Sequence, residues 1–160
     1  MTLLAGIGVT VSALVVQGMA AALGVEVIGA LLARRAVGTI WRNGLATFML
    51  IMILLTGHLA QMAVWALAFM AAGEFGTFAV AFYHSAVNYT TLGYGDIVMS
   101  PRWRLLGPQE AASGTLAFGW STAAIVTLVI RLVRYRHRAQ VRDESRGRSR
   151  ETREPQPVHQ

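Results

Sequence analysis

The sequence predicts an all-α integral membrane protein with three spanning helices and one short apolar segment that enters the membrane without crossing it. Of 160 residues, 54% are hydrophobic and only 14% are charged, and the charges are concentrated in a few places. The chain contains no cysteine, which excludes a disulfide framework and a thiolate metal site. Three apolar stretches each reach the roughly 20 residues that a membrane-spanning helix needs.

The first predicted span is an additional N-terminal transmembrane helix within residues 1–33. Its only ionisable side chain is Glu26. The inner end of this helix is expected near Gly24 or near Ala33. Glu26 is expected at the inner membrane interface, and a buried functional carboxylate is the alternative.

The other two predicted spans lie at about 44–73, the outer helix, and about 109–133, the inner helix. The second span contains His58 as its only ionisable side chain, and Arg131 interrupts the third span near its end. His58 and Gln61 lie three residues apart on one helical face, so we expect them to form hydrogen bonds between helices. A proton sensor is the alternative for His58.

The distribution of arginine predicts the orientation, because cytoplasmic flanks of membrane spans carry an excess of positive charge. The linker 34–43 and the basic tail 132–160 are therefore expected in the cytoplasm, with the N-terminus and the connection 74–110 outside. The tail has almost no apolar residues, so it is expected to be disordered beyond a few helical turns. The arginines next to the spans that set this orientation are Arg34, Arg35, Arg42, Arg131, Arg134, Arg136 and Arg138.

The outer connection contains an apolar segment that is too short to cross the membrane. Residues 77–90 contain no glycine or proline, and Thr77 is a candidate N-cap at the start of this stretch. The stretch predicts a helix of about 20 Å. The glycine-containing sequence TLGYGD follows at residues 91–96. Irregular backbone at membrane depth is tolerated only where protein buries it or where it lines a watery cavity. The pattern therefore predicts a re-entrant loop, with an ordinary extracellular turn as the alternative.

The glycines of this loop allow its carbonyl groups to point to one side. Gly93 and Gly95 adopt positive φ at low cost, and Thr91 can add a hydroxyl oxygen. The negative end of the short helix dipole favours a cation beside it. Oxygen ligands without nitrogen or sulfur suit a hard monovalent ion. Tyr94 is expected to point away from the axis and to pack against aromatic residues, with Phe82, Tyr83 and His84 as candidates.

The residues Thr91, Leu92, Gly93, Tyr94, Gly95 and Asp96 resemble the selectivity-filter signature of potassium channels of the bacterial pore-loop type, usually TVGYG followed by Asp. The resemblance extends over residues 44–131 and implies a two-transmembrane pore module, here preceded by an extra helix. It implies that residues 91–95 supply the oxygens that replace potassium's hydration shell, with potassium held at Thr91, Leu92, Gly93 and Tyr94. It also implies a homotetramer, since one chain supplies only one quarter of the oxygen atoms that surround the ion.

Further roles follow from the resemblance. Asp96 is placed at the outer mouth, with a simple turn residue as the alternative. Some family members carry a carboxylate behind the filter where this chain has Val87, so other residues must support the filter. The candidates are Tyr83, His84, Asn88, Tyr89 and Thr90. Gly119 lies midway along the third span and is a candidate gating hinge, although close helix packing is the commoner reason for such a glycine.

The resemblance and the composition together predict a potassium-selective channel. The alternatives are a weakly selective cation channel and a non-conducting regulatory subunit. An enzyme is disfavoured, because no span pairs a nucleophile with a base or presents a set of metal ligands. No cofactor is expected besides potassium ions in the filter. Expected partners are further copies of the chain and membrane lipids, including anionic lipid at the basic tail, but not nucleic acid.

Overall fold

The computed structural model describes residues 2–33 and 40–151, and all of its regular secondary structure is helical. The linker residues 34–39 and the end of the tail at 152–160 lie outside the described residues. The four helices are α1 (Thr2–Ala33), α2 (Ile40–Ala71), α3 (Phe78–Tyr89) and α4 (Leu106–Glu151). Three of them contain stretches long and apolar enough to cross a membrane, namely Leu3–Ala30, Asn43–Ala71 and Leu106–Arg134. The predicted all-α membrane fold with three spans is confirmed.

Helix α1 is continuous to Ala33, so its end lies at the later of the two predicted positions. Glu26 is exposed on the surface of this helix, and the alternative of a buried carboxylate is wrong. Close contact with α2 depends on small residues: a Cβ added at Gly57 would lie 2.8 Å from the Cβ of Ala20. Small residues commonly allow such close approach between membrane helices.

Helix α2 ends in a Schellman motif centred on Gly73. The φ of Gly73 is +78°, its N–H donates to the Met70 carbonyl at 2.9 Å, and the Glu74 N–H donates to the Phe69 carbonyl at 3.1 Å. These bonds satisfy the last carbonyls of the helix and change the direction of the chain before α3. Glycine is needed at this position because its φ is positive.

Helix α3 begins after Thr77, which has the extended backbone of an N-cap but makes no side-chain capping bond. Its twelve residues span about 18 Å, too short to cross a bilayer. Helix α4 begins at Leu106 and tolerates Pro108 because the proline lies in its first turn.

Helix α4 continues to Glu151, well beyond the predicted end of the third span at 133. The predicted disorder of the tail therefore does not apply to residues 132–151. This stretch contains one glycine, Gly147, and no proline, and it is rich in arginine, which favours helix. Extending an existing helix also avoids the cost of nucleation.

Two apolar clusters hold the helices together. Helix α2 contacts all three other helices, while α1 and α3 each contact both α2 and α4. The segment-side cluster lies near the α3 end and consists of Ala13, Met62, Trp65, Phe69, Tyr89, Leu106 and Ala117. The opposite cluster lies at the other end of the spans and consists of Ala21, Ile28, Ala46, Leu50, Leu54, Leu128 and Leu132.

Candidate functional site

The TLGYGD sequence, here called the glycine segment (residues 91–96), begins as the C-terminal cap of α3. Thr91 has a φ of +61°, its N–H donates to the Asn88 carbonyl at 2.8 Å, and the Leu92 N–H donates to the Val87 carbonyl at 3.0 Å. This is the Schellman pattern with threonine at the position usually held by glycine. A β-branched residue with positive φ is a backbone outlier, and such strain is typical of functional sites. The sequence predicted positive φ for the glycines but not for Thr91.

Positive φ alternates along the glycine segment. Thr91, Gly93 and Gly95 have φ of +61°, +61° and +72°, whereas Leu92 and Tyr94 between them have negative φ. Alternation of right- and left-handed backbone turns successive N–H groups to one side of a segment. The predicted positive φ of both glycines is confirmed.

The N–H side of the glycine segment is attached to α3. The Val87 carbonyl accepts hydrogen bonds from Leu92 at 3.0 Å and from Gly93 at 3.2 Å. Within residues 2–33 and 40–151, no carbonyl of residues 91–95 accepts a hydrogen bond from the protein. The first half of this segment is therefore fixed to the helix, and its carbonyl oxygens are free of hydrogen bonds within the described residues.

The side chains of the glycine segment are largely uncovered by their own chain. Tyr94 is 65% exposed and Leu92 is 54% exposed. A single chain leaves Tyr94 largely uncovered, so its expected packing against aromatic residues stays a prediction. Phe82 instead packs against Phe78, and the His84 ring lies 4.9 Å from that of Phe75.

Asp96 is bound by the first of the predicted support residues. The Tyr83 hydroxyl donates to Oδ2 of Asp96 at 2.7 Å. This hydrogen bond lowers the pKa of Asp96 below its usual range and raises the pKa of Tyr83. Asp96 is therefore ionised at neutral pH and leaves a negative charge at the end of the glycine segment.

The remaining predicted support residues divide into two groups. His84 Nδ1 lies 3.0 Å from the Ile97 carbonyl, and Asn88 Nδ2 lies 2.9 Å from His84 Nε2. These two side chains therefore hold the chain just after the glycine segment. Thr90 does not contribute in this way, because its hydroxyl donates to the Ala86 carbonyl of its own helix at 2.7 Å.

Tyr89, the last residue of α3, is the start of a buried polar network. Its hydroxyl lies 2.8 Å from Nδ1 of His58, and Nε2 of His58 lies 3.0 Å from the Ser121 hydroxyl. Gln17 of α1 donates to Ser121 at 2.6 Å and accepts from Gln61 at 2.7 Å. The predicted interhelical bonds of His58 and Gln61 are confirmed. The network also connects the additional helix α1 with the end of α3.

Two glycines of α4 have different surroundings. A Cβ added at Gly114 would meet the backbone of Tyr89, with the carbonyl carbon only 3.1 Å away. Gly114 is thus the position where α4 and the end of α3 make their closest contact. A Cβ at Gly119 would meet nothing within 4 Å in the described part of the chain. The hinge assigned to Gly119 stays a prediction.

Sequence reasoning missed two carboxyl groups near the site. Glu74 accepts hydrogen bonds from the Ser100 N–H and hydroxyl, each at 2.6 Å, and so fixes the loop between the glycine segment and α4. Glu110 is fully buried on α4 and bonds to Ser85 of α3. The signal available in the sequence was a single acid inside an otherwise apolar stretch. Within the residues that the structure describes, no group of three or more His, Cys, Asp or Glu side chains is arranged to hold a metal ion.

The comparison with known families agrees with this arrangement. A family model described as "Ion channel" matches residues 45–131, which contain nearly all of the second span, α3, the glycine segment and the membrane-spanning part of α4. Helix α1 lies outside the match. No curated protein and no solved structure matches the chain. Because the match covers more than half of the sequence, the chain belongs to the ion channel family.

Proposed function

We propose that the protein is a potassium-selective channel in which the glycine segment is the selectivity filter. The proposal rests on the alternation of positive φ at residues 91, 93 and 95, with the N–H groups of Leu92 and Gly93 bonded to Val87 and the carbonyls of residues 91–95 free of hydrogen bonds among the described residues. Rings of backbone carbonyl oxygens are the ligands that replace the hydration shell of potassium in such filters. The oxygens of Thr91, Leu92, Gly93 and Tyr94 hold the ions, and Gly95 completes the row.

Four copies of the chain surround the ion in this proposal. A single chain supplies one row of carbonyls, and one row leaves most of the coordination sphere of a cation open. The exposure of Leu92 and Tyr94 supports assembly, since apolar and aromatic side chains with no partner in their own chain mark an interaction surface. The tetramer places Tyr94 against a neighbouring copy.

Charge favours a cation at both ends of the glycine segment. The negative end of the α3 dipole adjoins Thr91, and ionised Asp96 lies at the other end of the glycine segment. Asp96 forms the outer mouth in the proposed orientation, with the N-terminus outside and the basic tail in the cytoplasm. Since the chain has no cysteine, Val98→Cys tests this orientation. A membrane-impermeant maleimide should label it from outside, and labelling only from inside would reverse the topology.

Potassium flux from liposomes containing the full-length chain tests the function. Gly93→Ala should abolish flux, because alanine strains a φ of +61° even though nothing lies within 4 Å of its Cβ. Gly76→Ala is the matched control: Gly76 lies in the same outer connection, has open space around it and does not have positive φ. The control should conduct like the native chain.

Each other outcome has a defined meaning. Equal flux from the native chain and Gly93→Ala contradicts the assignment of the filter. Equal potassium and sodium permeability in reversal-potential measurements identifies a weakly selective cation channel. A monomeric native chain without flux identifies a non-conducting subunit.

A further inference from the structure

Glu110 is a carboxyl group without a counter-charge inside the membrane-spanning part of α4. Its side chain is 0% exposed, so the surrounding helices of its own chain enclose it completely. Oxygen Oε1 bonds to the Ser85 hydroxyl of α3, and Oε2 has no hydrogen-bond partner in the described part of the chain. The Asn88 side chain of α3 is the second polar group beside this carboxyl. A buried carboxylate without a counter-charge is costly, whereas a neutral carboxylic acid is much less so.

The hydrogen bonds of Ser85 determine where the proton lies. The Ser85 hydroxyl oxygen lies 2.8 Å from the Met62 carbonyl of α2 and also bonds to Glu110. A serine hydroxyl has one hydrogen, and a carbonyl oxygen can only accept. Because the Met62 carbonyl can only accept that hydrogen, both contacts of Ser85 are full hydrogen bonds only when Glu110 is protonated and donates to the Ser85 oxygen.

We infer that Glu110 is a neutral carboxylic acid that donates a hydrogen bond to Ser85 and thereby positions α3 and the glycine segment. The expected effect of Glu110 on conduction rests on the proposed function. The protonation state of Glu110 does not depend on the proposed function. The titratable group facing Glu110 from α3 is Tyr89, a phenol that is uncharged at pH 7. Helix α2 contributes the Met62 carbonyl through Ser85.

The position of α3 controls the glycine segment directly. Val87, two residues after Ser85, holds the N–H groups of Leu92 and Gly93. One turn after Glu110, Gly114 packs against Tyr89. Helix α4 therefore fixes α3 at two neighbouring points, and a shift at Ser85 moves the Val87 carbonyl.

Infrared difference spectroscopy of the full-length chain in liposomes at pH 7 tests the protonation. Native minus Glu110→Gln spectra should contain the C=O stretch of a protonated carboxylic acid. Native minus Glu74→Gln spectra should lack it, because Glu74 is only half-buried and accepts two hydrogen bonds from Ser100. If the Glu110→Gln difference contains only carboxylate bands, Glu110 is ionised and the inference is wrong.

Potassium flux and the potassium to sodium permeability ratio test the positioning role. Glu110→Gln should keep both near native values, because the amide N–H can donate to Ser85. Glu110→Ala and Ser85→Ala should each lower flux by roughly tenfold and reduce the permeability ratio, because a buried hydrogen-bonding partner is lost. Native selectivity in Glu110→Ala would overturn the positioning role. If the native chain itself does not conduct, the proposed function fails, while the infrared result still decides the protonation state.

Discussion

The two ends of the helix bundle are held together by different interactions. Around the segment-side cluster, buried side-chain hydrogen bonds join all four helices, as between Gln17 and Ser121 and between His58 and Tyr89. Around the opposite cluster, the side-chain hydrogen bonds of the described residues run within one helix, as from Thr127 to the Ala123 carbonyl. The contacts between helices there are apolar.

This difference indicates which end is fixed and which can move. Hydrogen bonds are directional and are lost when helices shift, whereas apolar contacts inside a membrane can be exchanged for contacts with equally apolar lipid. The glycine segment lies at the fixed end. We therefore expect conformational change to be concentrated at the opposite cluster, between α2 and the portion of α4 beyond Gly119.

The largest effect is expected from Gly114→Ala, which forces a methyl group into the contact between α4 and Tyr89. The neighbouring atoms belong to the backbone, so they cannot rotate away. Overpacking of this kind costs about 1–3 kcal/mol. Potassium flux should be lost, and the melting temperature of the detergent-solubilised protein should fall.

Gly44→Ala is the matched control for that substitution. Gly44 lies on α2 towards the opposite end, and a Cβ there meets nothing within 4 Å. Alanine is also the better helix former, so the melting temperature should stay the same or rise slightly. If Gly114→Ala and Gly44→Ala have the same melting temperature, the close contact at Gly114 does not determine the position of α3.

A smaller effect is expected from Gln17→Leu, which removes the polar link between α1 and the rest of the network. Gln61 loses its acceptor and Ser121 loses a donor. Polar bonds between membrane helices contribute about 0.6 kcal/mol on average. Amide hydrogen exchange should therefore accelerate modestly in α1 and at the end of α3.

Met19→Leu serves as the control for Gln17→Leu, since Met19 is on the same helix and 68% exposed. The amide hydrogen-exchange rates of Met19→Leu should match those of the native chain. If Gln17→Leu changes exchange in α1 but not near Tyr89, the additional helix is attached to the module without influencing α3.

The smallest effect is expected from Tyr83→Phe, which removes the hydrogen bond that lowers the pKa of Asp96. Because the pKa of Asp96 is lowered, the Tyr83 bond stabilises the ionised carboxylate fully at pH values above the ordinary pKa of a carboxyl group. This stabilisation is lost as the pH falls through the lowered pKa of Asp96. Tyr83→Phe should therefore move acid inactivation of potassium flux to a higher pH. Asp96→Asn, which cannot titrate, should abolish this step in the pH profile. An unchanged profile in both variants would show that Asp96 does not set the acid sensitivity.

Much of the fold was accessible from the sequence, because membrane solvation imposes simple rules. Long apolar stretches must become helices to satisfy their backbone groups, and the short apolar stretch after Thr77 could only be a helix that does not span. The positive φ of Gly93 and Gly95 was equally accessible, because only glycine adopts it at low cost. The end of α4 could not be predicted from the sequence, because a charged tail has no apolar pattern that marks where a helix ends.

The residues that support the glycine segment depended on the tertiary structure. His58 was recognisable as a polar residue needing a partner, but its bond to Tyr89 brings together residues from different helices. The positive φ of Thr91 follows from the way α3 is capped, which local propensity does not encode. Composition and glycine spacing thus determined that the chain has three helices able to span a membrane and positive φ at Gly93 and Gly95. Only the packing of α4 against α3 decided that Glu110 meets Ser85 and that Gly114 meets Tyr89, because such contacts join residues far apart in the chain.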